Sequence, residues 1–576
     1  MSSNLQSPSN NSLGDAATAL QRTLARCWPQ ANAAELLLAG LALRAVERGH
    51  TCLDLDRLEP DDWRDAERTR GIGVAELRDA ARSAPFIGDA AAGLVLVRDG
   101  DRRVYLRRYW VHEHALAGQL RARARAVDET IDAATVARLL GAPGPEQPDW
   151  QRVALALSLR RRLLVLCGGP GTGKTWTVAR MVALWRSQFG PGFRIGLAAP
   201  TGKAAARLAE ALGAVAAGVT PTTLHRLLGM RRYSTIPRHD AGKPLALDAL
   251  VVDECSMVDL PLMARLLEAV PSAARLVLVG DPDQLPAVES GAVLGALAAF
   301  NREGAATPEQ SAWLRNACGF APAPTLDSAL AASVLHLRRR HRFGPDSGLG
   351  PLLDAIRDGD ADAVRARLAG GGDGSILWLQ PAQTPRAELE SLLREGYAEL
   401  LAATEPASAL RSLGRFRVLC ALRDGPSGTG GLNPWIEARL GGHGQRIAQP
   451  WLVEANDPAI GLYNGDLGVA MAQAPDQVWF ADASGPRQVA RGRLPAHAAA
   501  WAMTVHKAQG SEFDTVLVLL PPQPHPLLTR EWLYTALSRA RGRVIVHGEA
   551  NVLAATVMAR GTRDSGLGER LAIGAD

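Results

Sequence analysis

The chain has 576 residues, room for roughly three or four domains. Its 47% hydrophobic and 21% charged residues are ordinary for a globular protein, and no apolar run nears the roughly 20 residues that span a bilayer, so no membrane helix is expected. A net charge of +5 suits a polyanionic partner without identifying one, because runs such as Arg160–Arg162 and Arg338–Arg340 read equally well as solvated faces.

The first ten residues carry no charged-then-apolar leader pattern, so they read as a short disordered tail and the chain as cytoplasmic. Residues 13 to about 85 are predicted helical, with Leu20, Leu24, Leu36, Leu37, Leu38, Leu41 and Leu43 at helix-like spacings. Residues 92–112 alternate instead (Leu94, Leu96, Val104, Leu106, Tyr109) about an Asp99–Asp101 turn, which is a hairpin signal. A helix over about 114–126 and the Pro/Gly-rich stretch 141–148 follow, and a domain boundary is placed there, giving 1–145 as the first domain. From 151 to about 300, candidate strands 163–167, 194–199, 249–253 and 276–280 alternate with helices, the pattern of a parallel sheet. Residues 301–330 look like an insertion or loop, and a second α/β region is expected from near 335, with domain limits of 146–345 and 346–576. Short strands and turns at about 440–497 suggest a small inserted β-barrel. The six cysteines form no C-x-x-C pair, so neither a zinc site nor a disulfide framework follows.

The stretch Gly168, Gly169, Pro170, Gly171, Thr172, Gly173, Lys174 and Thr175 fits the phosphate-loop pattern, between an apolar strand and a helix. Glycines there let successive backbone N–H groups face one anion at a helix N-terminus. Lys174 is expected to reach the β- and γ-phosphates of ATP, and Thr175 to hold Mg²⁺. Leu250–Glu254 is an apolar strand ending in two carboxylates. Asp253 is the candidate Mg²⁺ residue, and Glu254 the group that orients or deprotonates water, which favours hydrolysis over transfer to a second substrate. Gln284, in a polar turn after another apolar strand, can donate and accept hydrogen bonds and so sense a γ-phosphate.

With these residues in order, the chain resembles the superfamily 1 DNA helicases over roughly 150–550. Ala198–Arg207 is similar to their motif Ia, Thr222–Gly229 to the next DNA-contacting motif, Thr504–Glu512 to motif V and Tyr534–Ala540 to motif VI. The resemblance implies two RecA-like domains with ATP between them. It implies Gln151 as the adenine-reading glutamine, Arg342 as the motif IV arginine and Arg539 as the arginine finger. It also implies DNA contacts from Thr201, Lys203, Thr223, His225, Thr504, His506 and Lys507, small polar or basic groups suited to phosphates. Trp435, Trp451, Tyr463 and Trp501 are available for base stacking, although most tryptophans are core. Within the superfamily the chain is most similar to the RecD family, the alpha subunits of exodeoxyribonuclease V. The similarity rests on Arg340–Phe343, Asp346–Gly350, Leu419–Gly425, Gly430–Asn433, Asn464–Gly468 and Leu106–Trp110 with Glu113. It implies 5′→3′ movement on a single-stranded 5′ tail at a duplex end, RecB- and RecC-type partners in a heterotrimer, and a role in degradation, resection and recombinational repair. No separate nuclease cluster is read in the chain, so that activity is assigned to a partner. The N-terminal region is read, chiefly from the resemblance, as a partner-docking domain rather than a self-contained accessory domain, and segment 230–247 leaves open whether it forms a strand-separating pin.

Three other readings stand beside this one. A stand-alone RecD-type helicase would act without RecB and RecC. A DNA-binding scaffold would have a degenerate ATPase, against which Lys174, Asp253, Glu254, Gln284 and Arg539 all stand. A protein remodeller would lack the motif Ia, V and VI set.

Overall fold

The structure, a computed structural model, describes residues 15–58, 71–144, 148–213, 218–231, 236–342, 347–371, 374–441, 447–457, 459–482 and 485–573. The expected N-terminal tail and residues Phe343 and Asp346 lie outside the described residues, as do parts of 141–148 and 230–247.

The N-terminal part carries helices Asp15–Cys27, Ala33–Glu47 and Val74–Ser83. The second starts at a reciprocal cap: Glu35 N–H donates to Asn32 Oδ1 at 3.0 Å, and Asn32 N–H to Glu35 Oε2 at 2.9 Å. Strands β1 (Leu53–Asp54), β2 (Ile87–Gly88), β3 (Leu96–Asp99) and β4 (Arg103–Leu106) form a sheet in the order β1-β4-β3-β2. The hairpin is there, with Asp99 opposite Arg103, but it stops at Leu106. Helix Arg107–Arg125 begins at once, seven residues earlier than predicted, and takes Tyr109 with it. Its Leu116 and Leu120 are buried against Met263 and Leu267, so this helix forms part of the core under the next sheet.

That sheet contains β5 (Leu163–Gly168), β6 (Ile195–Ala199), β7 (Thr222–Thr223), β8 (Ala249–Val252), β9 (Arg275–Gly280) and β10 (Val334–Leu337), all parallel, in the order β10-β5-β9-β8-β6-β7. β5 is buried throughout: Leu163, Val165 and Cys167 face one core, Leu164 and Leu166 the other. Burial on both faces is why it reads as an unbroken apolar run. Two expectations are corrected here. Residues 334–337 do not open a second region; they pair with 165–168 at the edge of this sheet. Residues 301–330 are not simply a loop, because Thr307 caps a helix, Pro308–Cys318, by accepting from Gln310 N–H at 3.2 Å. Its Leu314, Ala317 and Cys318 are buried, so an alanine-rich stretch hid a packed face.

The second parallel sheet starts with β11 (Ile376–Leu379) and β12 (Phe416–Cys420). It is interrupted by β13 (Gln449–Val453), β14 (Leu467–Met471), β15 (Ala474–Phe480), β16 (Arg487–Ala490) and β17 (His497–Ala499). It resumes with β18 (Ala502–Thr504), β19 (Phe513–Leu519) and β20 (Ala540–His547), in the order β11-β20-β19-β12-β18. The interrupting strands make an antiparallel sheet in the order β16-β15-β14-β13-β17. Among the described residues β16 and β17 do not pair, so the expected barrel is an open sheet. A short helical turn at Arg491–Arg493 carries the chain from one edge to the other instead. No described helix is long and apolar enough to cross a membrane.

Candidate functional site

The phosphate loop leaves the end of β5 and enters helix Lys174–Phe189. Gly171 and Gly173 have φ of 73° and 82°, where an L side chain is strained. A Cβ on Gly171 would also lie 2.3 Å from Arg342 Cβ, so the loop is packed against the segment that follows β10, and Arg342 stands on the loop's own side of the cleft. Lys174 Nζ donates to the carbonyls of Gly168 and Gly169 at 2.7 and 3.0 Å. Gln151 Nε2 donates to Thr172 O at 3.2 Å.

Across from the loop, Asp253 and Glu254 follow β8. Glu254 has φ of 53°, the one positive-φ non-glycine among the described residues, and its N–H donates to Asp253 Oδ1 at 2.9 Å. Such a backbone is retained where the surroundings over-determine it, commonly at functional sites. Burial, reinforced by the Glu254 carboxylate, pushes the Asp253 carboxyl up, against the pull of Lys174 and Arg207. A divalent cation would relieve both effects, so the pair and the neighbouring Thr175 fit a metal–nucleotide complex.

One cleft of about 430 Å³ gathers Pro170 to Thr175, Asp253, Glu254, Gln284, Arg342 and Arg539. It lies between the two parallel sheets, because Arg539 immediately precedes β20. Gly168 and Gly169 line an adjoining cavity, and Gln151 a third with Trp150 and His341; both adjoin the loop at Thr172. The arginines are held by groups outside the predicted set. Glu512 accepts from Arg342 at 2.5 Å and pairs with Arg207 at 2.9 Å. Burial alone would raise its carboxyl, but the two guanidinium groups outweigh it and hold it at about 2. Arg342 Nη1 is buried with no partner among the described residues, a donor that a phosphate oxygen would satisfy. Arg539 is buried and bonded to Thr535 O (3.2 Å), Ser538 Oγ (3.1 Å) and Ser511 O (3.5 Å).

The expected DNA contacts share a local device. Thr201, Thr223 and Thr504 each cap a helix, accepting from the N–H of Ala204, Arg226 and Lys507 at 3.2, 3.3 and 3.4 Å. A hydroxyl that accepts a cap bond keeps its own proton to donate to a phosphate. His225 is exposed, while Lys203 and His506 are only partly so. Burial, with Arg417 and Arg207 nearby, draws Lys203 down to about 8, and burial lowers His506. The turn of the inserted sheet reaches both groups of contacts. Lys507 Nζ donates to Asn464 Oδ1 at 2.7 Å, and a Cβ on Gly202 would meet the Tyr463 ring at 3.4 Å. Of the candidate stacking residues, Trp501 is core. Trp435 lies under Arg386 and Arg439, and Trp451 packs edge-on against His497.

Glu512, Arg207, Asp281 and Tyr534 were missed as site residues although each lies in or beside a recognised motif. Their signal is pairing across 170 or more residues, as between Arg342 and Glu512, which no local pattern carries.

Three family models match: RecBCD enzyme subunit RecD, N-terminal domain, over 10–105; AAA domain over 151–290; and UvrD-like helicase C-terminal domain over 499–547. The RecBCD enzyme subunit RecD of Mycobacterium tuberculosis is 40% identical, covering 93% of this chain and 91% of that protein. Its counterpart in Haemophilus influenzae is 35% identical over 74% of this chain and 73% of its own. The ATP-dependent RecD2 DNA helicase of Deinococcus radiodurans is 31% identical over 92% of this chain but 63% of its own length. On its sequence, its two parallel sheets and the cleft between them, this chain belongs to the RecD family of RecBCD enzyme subunits.

Proposed function

We propose that this chain is the 5′→3′ motor of a RecBCD-type complex, using ATP and Mg²⁺ to draw one strand from a broken DNA end in the cytoplasm. As a member of the RecD family it is an ATP-dependent DNA helicase. The observation that carries the mechanism is the single cleft in which phosphate-loop, carboxylate and arginine residues from both sheets meet.

In this reading Lys174 and the loop N–H groups hold the phosphates, and Gln151 reads the adenine. Mg²⁺ held by Thr175 and Asp253 would neutralise phosphate charge. Glu254 orients the attacking water and takes its proton, Gln284 senses the γ-phosphate, and Arg342 and Arg539 stabilise the charge that grows on it. Because Arg539 stands on the far wall, hydrolysis and release alternately close and open the cleft. The helix from Gly202 to Leu212 ties this motion to the strand: its cap faces the DNA contacts, and its Arg207 reaches Glu512 in the cleft. Thr201, Lys203, Thr223 and His225 grip phosphates from one half, Thr504, His506 and Lys507 from the other. Domain limits of 1–145, 146–345 and 346–576, with a partner-docking role for the first, complete the proposal.

The test is phosphate release by the chain, with and without single-stranded DNA, together with co-purification of RecB- and RecC-type chains. DNA-stimulated release that Lys174→Gln removes, and recovery of both partners, are expected. Turnover indifferent to DNA would reject the motor assignment. The RecD2 likeness supports a second reading, activity without partners, which unwinding by the isolated chain would favour.

A further inference from the structure

Four buried polar side chains beside the cleft have no part in the reaction so far: Asp281, Gln509, Tyr534 and Thr535. Tyr534 stands on helix Arg530–Leu537 of the second half, yet its hydroxyl donates to Asp281 Oδ2 of the first half at 3.3 Å. The same carboxylate oxygen accepts from Gln284 Nε2 at 2.9 Å. The hydroxyl also abuts the phosphate loop, since a Cβ on Gly169 would come within 2.9 Å of it. One residue on, Thr535 Oγ1 accepts from Leu285 N–H at 2.8 Å, and Gln509 Nε2 donates to Leu285 O at 3.2 Å. The carbonyl of Thr535 in turn holds Arg539 Nε at 3.2 Å.

These contacts form one continuous path, from the phosphate loop through Tyr534 and Asp281 to Gln284, and from Leu285 through Thr535 to Arg539. The Tyr534 hydroxyl thus shares with Gln284 the one carboxylate oxygen that holds that side chain. Burial, with Asp281 and Asp283 nearby, pushes the phenol well up, so it remains a donor throughout the working range. In a dry site a lost donor leaves the carboxylate underpaired rather than solvated.

We propose that Tyr534, Asp281 and Thr535 are positioning residues that latch the two halves of the motor together. The latch makes Gln284 and Arg539 approach the γ-phosphate as a unit, and passes the nucleotide state to the DNA grip through Gln509. The proposal rests on the nucleotide-site reading above.

The experiment compares the full chain with Tyr534→Phe, Thr535→Val and Thr535→Ser. Phenylalanine keeps the ring, valine removes the acceptor for Leu285 N–H, and serine keeps it. Three quantities are read: affinity for a fluorescent ATP analogue, DNA-stimulated kcat, and the change in single-stranded DNA affinity caused by a non-hydrolysable ATP analogue. Tyr534→Phe and Thr535→Val should hold nucleotide affinity within about twofold, lower kcat about tenfold and abolish the analogue-induced change in DNA affinity. Thr535→Ser should restore both. Wild-type kcat and linkage in the first two variants, or a loss confined to nucleotide affinity, would overturn the latch. Lys174→Gln run alongside separates the two ideas: if it is inactive while the latch variants behave as wild type, only the latch falls. If Lys174→Gln itself turns over normally, the nucleotide site falls. Melting curves monitor folding, and the Thr535 pair decides the matter should Tyr534→Phe not fold.

Discussion

At the scale of single residues, Lys174 bonds to the carbonyls of Gly168 and Gly169, contacts that a phosphate would replace. Lys174→Gln should therefore lower hydrolysis by about 10²-fold or more, with only a small change in thermal midpoint, as measured by phosphate release and melting. Arg539 differs because it is buried with three hydrogen bonds, so alanine there removes packing as well as charge. We expect Arg539→Gln, which keeps more of the volume than alanine, to bind ATP with near-normal affinity and lose about 10³-fold in kcat; equal losses in both would contradict a finger role. The phosphate loop and the two carboxylates were legible in the sequence because each is a local run beside an apolar strand. The partners of Arg342 and Asp281 were not, since Glu512 and Tyr534 reach them only through the fold.

At the scale of elements, Glu512 joins helix Gly202–Leu212, through Arg207, to the segment after β18, and also holds Arg342. Its folded carboxyl is held at about 2, below the ordinary 4.5. The stability it contributes is thus fully present above about pH 4.5 and is lost as pH falls from there toward 2. Glu512→Gln should cost on the order of 3 kcal/mol at neutral pH, and denaturant titrations across pH should show the gap to wild type closing below about 4.5. The turn of the inserted sheet is a second junction. It occupies Lys507 through Asn464, so Asn464→Ala should free that ammonium and raise single-stranded DNA affinity about two- to fivefold, read by fluorescence anisotropy. Strands buried on both faces were readable as apolar runs. β7 was not, being two residues long, nor was β10, where His336 interrupts the apolar run, and neither was the helix at Pro308–Cys318, whose signal is a cap and three small or apolar contacts. The inserted strands were readable as short alternating runs, but whether they close is decided by edge pairing, which alternation does not encode.

At the scale of the whole molecule, the C-terminal segment returns to the N-terminal part. Thr51 N–H donates to Asp564 O at 2.9 Å, His50 lies 3.1 Å from the Asp564 carboxylate, and Arg563 donates to Arg48 O at 2.6 Å. Arg563 also reaches Ala287 O at 3.3 Å, just beyond Gln284, while Gly291 N–H donates to Gly49 O at 3.0 Å. The N-terminal part is therefore bonded both to the first half of the motor and to the C-terminal segment. That arrangement suits a motor that works against a partner complex. The most direct measurement of the central claim is strand separation on 5′-tailed and 3′-tailed duplexes by the chain assembled with its RecB- and RecC-type partners, the RecB-type motor being inactivated, with Lys174→Gln as control. Opening of the 5′-tailed duplex alone, lost in Lys174→Gln, is the expected result; opening of the 3′-tailed duplex, or opening that survives Lys174→Gln, would contradict it.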